Sequence, residues 1–406
     1  MRGVLLVAAL TLAPALLAGC LGDGLSLTGR DAQSGDPRLA LLDDDVRPTG
    51  RVREFTLYLH RMDHEPYPDA TMQMWAFSLS EEPGSATVPG PELRVTEGDT
   101  VRVTFRPLVP NFPHTVHFHG QHVPWEMDGT PYVAQEPVPA GGEFTYEFIA
   151  KPSGTYWYHC HYDAQHHIDM GMYGAFIVEP QDKAADPPFS REYTLMLDEM
   201  DRFHLEGGNP NPGNLPQDGD PFTYEEWARR QSRDIATRNQ QVEERVTGSP
   251  ARPTRSWFPE TLAPYTADYN TFLINGASFP YTEPLLIGAG EVVRIRLVNV
   301  GNEMHAMHLH GHHVLVTHKD GRPLASPYLA DTVAIAPGER YDVYVKGTNP
   351  GVWDFHDHFT HTNVNDNIWP GGMMTLLAYE EYADRVEGLG HGHGAHSGDL
   401  LRMYIP

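Results

Sequence analysis

Four histidine pairs and one cysteine carry the chemistry of this sequence: His117-Phe118-His119, His159-Cys160-His161, His308-Leu309-His310 and His356-Asp357-His358. Successive side chains of an extended strand point to opposite faces, so each pair directs both imidazoles to one side and its middle residue to the other. In the second pair two imidazoles would meet one site while the Cys160 thiol faces another behind the strand. Eight imidazoles with a thiolate suit copper, because imidazole binds it in both oxidation states and thiolate and thioether favour the cuprous ion. Random placement of 23 histidines would hardly give four such pairs in this order. His114 stands three residues before His117 and therefore faces the Cys160 side. His114, Cys160, a later histidine (His166 or His167) and a methionine (Met170 or Met172) would make a His2Cys site with a long thioether bond, the blue-copper donor set.

The stretches that must position these groups occur twice. Residues 154–161 answer 351–358, 140–148 answer 337–345, 114–120 answer 305–311, and 97–105 answer 289–297. They alternate apolar and polar residues, are rich in β-branched and aromatic side chains, and are bounded by Gly and Pro. The fold class is therefore all-β, with two homologous sandwich domains at residues 51–182 and 271–383. Residues 183–270 read as a connecting segment: 205–222 are loop-like in their Gly, Pro and Asn content, and 224–246 are charged and proline-free, predicting a surface helix. Residues 384–406 form a His/Gly-containing tail, where His391, His393 and His396 could sequester metal but an unstructured tail is the simpler reading.

The remaining cysteine is Cys20. Residues 1–20 hold one early arginine, an apolar run of signal-peptide length and Leu17-Ala18-Gly19-Cys20, which resembles the lipobox of exported lipoproteins. That predicts export, lipidation of Cys20 at the cell envelope, and a flexible tether over residues 21–50. It leaves Cys160 as the single thiol, so no intrachain disulfide is expected. Asp and Glu total 54 against 29 Lys and Arg, a formal charge of −25 that disfavours nucleic acid and anionic lipid surfaces. Contact with a membrane is expected through the lipid anchor alone.

The residues resemble the multicopper oxidases, whose four ordered motifs are HxHG, a histidine pair, HxxHxH and HCHxxxHxxxGM. All their elements occur here in a different distribution. The cysteine motif, residues 159–172, lies in the first half, and the second half has Asp357 where a cysteine would stand. This order is similar to two-domain, laccase-like oxidases with the type 1 copper in the amino-terminal domain, and it implies two cupredoxin-like Greek-key sandwiches. By motif position the resemblance selects His114, Cys160, His167 and Met172 for type 1 copper. It assigns His117 and His308 to type 2 copper and His119, His159, His161, His310, His356 and His358 to the type 3 pair, about four copper ions per subunit. A methionine rather than Leu or Phe at the axial position implies a low to middling type 1 potential.

The implied chemistry is one-electron oxidation of a small donor (a phenol, an aromatic amine or a low-valent metal ion) coupled to reduction of O2 to water. Asp128 resembles the acidic residue that follows HxHG in laccases and is the candidate for proton supply; its alternative is a turn-forming Asp-Gly. Asp163 is a weaker candidate. His305, Asp357 and Met373 read as the remnant of a second type 1 site that has lost its thiolate. The family also implies a homotrimer with clusters at its subunit interfaces. Two rival readings are a copper nitrite reductase, which lacks the second histidine of the Cys160 motif, and a copper-binding or electron-transfer protein without enzymatic activity.

Overall fold

A computed structural model describes residues 46–201 and 269–386, apart from positions 69, 111, 366 and 367. The lipobox, most of the tether, the 224–246 segment and the histidine tail lie outside the described residues. The first strands are β1 (Val52–His64), β2 (Met72–Ser78), β3 (Gly90–Thr96), β4 (Thr100–Pro107), β5 (His117–His119), β6 (Phe144–Ile149), β7 (Gly154–His159) and β8 (Tyr173–Glu179), with a short helix α1 (Ala164–Asp169) before β8. They are followed by β9 (Arg191–Met200), β10 (Thr271–Ile274), β11 (Leu285–Ile287), β12 (Val292–Asn299), β13 (His305–Leu309), β14 (Val314–Lys319), β15 (Arg322–Ala330), β16 (Thr332–Ile335), β17 (Arg340–Lys346), β18 (Val352–Asp357) and β19 (Met374–Tyr379).

Each half is a two-sheet sandwich. The first pairs sheet β2-β1-β4-β6 with sheet β3-β8-β7-β5; the second pairs β10-β9-β12-β17-β14-β15 with β11-β19-β18-β13-β16. The eight strands of the first half recur in the same order in the second, which adds β14, β15 and β16 at its sheet edges. β1 runs parallel to β4 and antiparallel to β2, as β9 does to β12 and β10. Alternation fills the interiors: in β4, Val101, Val103 and Phe105 are buried, and in β12 Val293, Ile295 and Leu297.

This topology moves a boundary. The second domain begins at β9, inside the stretch read as a connector, because β9 pairs along β12 and puts Leu195 and Leu197 into the second core. The signal was in the sequence: Arg53-Glu54-Phe55-Thr56-Leu57 recurs as Arg191-Glu192-Tyr193-Thr194-Leu195. The acidic residues ending β9, Asp198 and Glu199, hid its strand character, since carboxylates are rarely buried. Residues 202–268 are thus an insertion within the second domain, between its first two strands.

The two domains are joined by a continuous core and by ion pairs. Met196, Met200, Leu273, Val298 and Val300 of the second domain pack into the apolar cluster of the first. Arg94 reaches Glu192 at 2.6 Å, and buried Arg296 bonds Asp342 at 3.1 Å and the Thr155 hydroxyl of β7. The Arg296–Asp342 pair, enclosed and multiply bonded, is costly to break one partner at a time.

Thr271 lies opposite Met200 in the β9–β10 ladder, so the ends of the insertion meet as hairpin ends. Replacing residues 203–267 with a short Gly/Ser loop is expected to leave both sandwiches folded and to change stability by no more than about 2 kcal/mol, the loop-closure term. Chemical denaturation of both proteins checks this; loss of the cooperative transition would show that the insertion completes the second core.

Candidate metal centres

β5 and β7 are antiparallel neighbours, with His117 opposite His159 and His119 opposite Trp157. This register gathers the first quartet. Ligand atoms of His117, His119 and His159 all lie within 4.8 Å of one another. His161 joins them, its ring 5.3 Å from that of His117. In the second domain β13 and β18 repeat the arrangement, with His308 opposite His356. There His310 Nε2 lies 3.1 Å from His356 Nε2, and the His358 ring 5.4 Å from that of His308.

The outer nitrogens are anchored so that the inner ones converge. His117 Nδ1 lies 2.6 Å from the Asp128 carbonyl and His308 Nδ1 2.9 Å from that of Asp331. His159 Nδ1 is 2.9 Å from the Cys160 carbonyl and His356 Nδ1 2.8 Å from that of Asp357. An N–H donated to a carbonyl leaves Nε2 as the basic nitrogen, the tautomer a metal needs. Burial acts in the same direction. It lowers the affinity of His117, His159 and His356 for a proton, and that of His119 to about 3 with help from the Arg340 charge. Trp157 stacks on His119 and His159 at 4.9 and 4.3 Å.

Behind β7, Cys160 Sγ lies 3.2 Å from His167 Nδ1 and 3.8 Å from His114 Nδ1, and all three residues are fully buried. These separations fit donors that share one ion at about 2 Å from each, and the soft sulfur with two imidazoles fits copper. The structure thus brings His167, not His166, to the thiol; His166 turns toward Asp163, 3.7 Å away. Met172 is tied by backbone bonds to Cys160 and His167, whereas Met170 is tied to Trp75 and His166. Burial holds His114 neutral down to about pH 3 and raises the Cys160 thiol to about 12, so metal binding there must displace a proton. Trp75 packs edge-on against both His114 and His167.

Asp128 lies beside the first quartet, its carboxylate 3.5 Å from His117 Nδ1 and bonded by the Thr130 hydroxyl. Its counterpart Asp331 was missed in the sequence: it is bonded by Thr332 as Asp128 is by Thr130 and likewise presents its carbonyl to a quartet histidine. The repeat, carried past the histidines, sets Asp128-Gly129 against Asp320-Gly321 instead, so no spacing in the sequence pointed to Asp331.

The two quartets stay apart. Ring contacts run within each, and among the described residues no group of three ligand atoms mixes them.

Two sequence profiles described as multicopper oxidase match residues 85–183 and 252–374. The blue copper oxidase of Nitrosomonas europaea superimposes with a TM-score of 0.63 and 32% identity, over 82% of this chain and 87% of that one. The chain belongs to the multicopper oxidases. The family is copper-dependent, and its cupredoxin fold is the one described above. Copper resistance protein A of Pseudomonas syringae pv. tomato is 27% identical, covering 82% of this chain and 51% of that protein. Multicopper oxidase MmcO of Mycobacterium tuberculosis is 30% identical over 64% of this chain and 46% of that protein. The chain spans about half the length of these curated relatives.

In the second domain of this multicopper oxidase, the counterpart of the thiol site keeps a methionine, Met373, but has Asp357 in place of the thiol. Backbone bonds align it with the first: Cys160 N to Met172 O and Met172 N to His167 O recur as Asp357 N to Met373 O and Met373 N to Thr362 O. Thr362 therefore stands where His167 does. His305 is bonded to Asp357 at 2.8 Å and to Glu199 at 3.0 Å, all three fully buried. Burial opposes its protonation, but the two carboxylates prevail and raise it from 6.5 to about 9.

Because the folded value lies above the unfolded one, the contribution of His305 to stability is complete below about pH 6.5 and is lost as pH rises through about 9. Urea midpoints of the metal-free protein are expected to fall across that window, and His305→Gln to flatten the fall. An unchanged slope would show that His305 is neutral in the folded protein.

Proposed function

We propose that this protein is a laccase-like oxidase that couples one-electron oxidation of a phenol, an aromatic amine or a low-valent metal ion to the four-electron reduction of O2 to water. The observation that carries this reading is the conjunction of one His2Cys site with two histidine quartets, the thiol of the first sitting in the backbone between two ligands of a quartet. His114, Cys160 and His167, with Met172 as the weak fourth donor, would hold type 1 copper. His117 and His308 would hold type 2 copper, and His119, His159, His161, His310, His356 and His358 the type 3 pair. Copper bound at these residues supplies the one-electron and oxygen-reducing chemistry.

The chain's own groups do the rest. Cys160 joins the donor side to the oxygen side through one residue of backbone to His159 and to His161. Asp128, beside His117 and partly exposed, can take protons from solvent and deliver them toward the quartet. Four electrons and four protons per O2 give two waters, so proton delivery must keep pace with electron entry. Full burial of Cys160 and His114 keeps water off the thiolate.

Each quartet supplies half of a trinuclear site, so the reading requires a second copy. The quartets reach the surface, His358 being exposed, and exposed apolar residues stand beside each. Trp125 and Tyr132, 63% and 57% exposed, flank Asp128; Tyr328 and Leu329, 48% and 68% exposed, precede Asp331. Contact of the first quartet's face with the second quartet's face of the next copy is head-to-tail and closes a ring, a trimer as in the two-domain relatives this chain resembles. The Leu17-Ala18-Gly19-Cys20 segment supports export and a lipid anchor. No described helix is long and apolar enough to cross a membrane. Nitrite reduction needs only a three-histidine site and would leave five of the eight paired histidines, His161 among them, without use.

Copper-loaded protein lacking residues 1–19 is expected to consume O2 with an aromatic amine at one O2 per four donor electrons, and Cys160→Ser to lose both this uptake and the blue absorption. No uptake in air combined with nitrite consumption under argon would replace this reading with a nitrite reductase. Light scattering on the same sample should give a trimer mass; a fully active monomer would remove the interfacial cluster.

A further inference from the structure

We propose that the Glu199–His305–Asp357 triad is the positioning device of the second histidine quartet, doing with hydrogen bonds what a metal does in the first domain. This rests on the oxidase reading, which makes that quartet a copper ligand set.

The argument begins with the strands. All four quartet histidines of the second domain lie on or at the ends of β13 and β18. His305 opens β13, three residues before His308 and so on its opposite face, and Asp357 sits between His356 and His358. The His305–Asp357 bond, 2.8 Å long, therefore ties the two ligand-bearing strands together from behind. Glu199 belongs to β9 in the facing sheet, so its 3.0 Å bond to His305 extends the tie across the sandwich.

Asp357 distributes this anchorage. Its Oδ1 accepts from the backbone of Ala306 at 2.8 Å and of Phe359 at 3.1 Å, and its Oδ2 from the Thr362 hydroxyl at 3.1 Å. The turn so held presents Asn363, whose amide nitrogen donates to the Asp357 carbonyl at 2.7 Å and lies 3.1 Å from His356 Nδ1. Glu199 in turn accepts from the backbone of Glu303 at 2.8 Å and of Asn302, in the loop that leads into β13. Every bonded group is on a ligand strand or a segment adjoining one. In the first domain the equivalent positions converge on a metal-binding thiol instead, and the carboxylate takes over the cross-link there lost. An imidazole held between two buried carboxylates is a rigid joint, since none of its members has water as an alternative partner.

The triad's side chains touch no ligand nitrogen, the one direct contact being the Asp357 backbone carbonyl at His356 Nδ1, which His305→Gln and Thr362→Val leave in place, so the test reads cluster occupancy against the blue site of the same chain. Copper-loaded trimer of wild type, His305→Gln and Thr362→Val is assayed for copper content, the type 2 paramagnetic resonance signal, the near-ultraviolet type 3 band and the blue band. The expected result is a cluster affinity lowered by about 10- to 100-fold in His305→Gln and less in Thr362→Val, with the blue band retained. Thr362→Val, which removes one hydroxyl and keeps the shape, decides if His305→Gln does not fold. Variants that fold and bind cluster copper as wild type does would overturn the proposal. A wild type with the blue band and no cluster signals would overturn the oxidase reading and the proposal with it.

Discussion

The pairing of β5 with β7, and of β13 with β18, is the constraint on which the rest of the molecule depends. A strand offers only two faces, and a ladder places the residues of its neighbour directly across. With His117 opposite His159 and His308 opposite His356, the paired strands bring together three imidazoles in the first domain and two in the second before any loop is involved. The same alternation sends Cys160 to the back of β7, into the space where His114 and His167 wait. One geometric rule thus builds two sites on opposite faces of a single strand and joins them through one residue of backbone.

What the sandwich adds is an environment. Burial disfavours protonation of His114, His117, His119, His159, His167 and His356, and backbone carbonyls select the tautomer that leaves the inner nitrogen free. Trp157, stacked on two of the histidines, restricts their rings further. None of these effects is large for one residue. Together they preorganise a donor set that would otherwise have to be assembled against side-chain entropy when metal binds.

The duplication has been used unequally. Both domains share the order of eight strands and the same backbone bonds around the former or present thiol site, the second adding three edge strands. In the second, Asp357 and Thr362 occupy the places of Cys160 and His167, and Glu199 is added from β9. The outcome is a buried, multiply bonded ionic group in place of a soft metal site. At the domain boundary a continuous core and the Arg296–Asp342–Thr155 contacts hold the halves together, while the quartets remain separate within the chain.

By itself the sequence determined the strand character of the histidine motifs, the duplication, the two quartets and the sulfur site, because period-two spacing is a local property that survives without coordinates. It also carried the choice between a thiolate and a carboxylate site, which is a matter of residue type. The tertiary structure alone decided between His166 and His167, since consecutive residues on α1 point about 100° apart and only packing chooses which one meets the thiol. It placed the domain boundary at β9, where buried Glu199 contradicts the usual exposure of carboxylates, and it revealed Asp331, Thr362 and Asn363 as supports of distant histidines. Those contacts join residues whose nearness comes from sheet pairing and sheet packing, and no spacing along the chain encodes them.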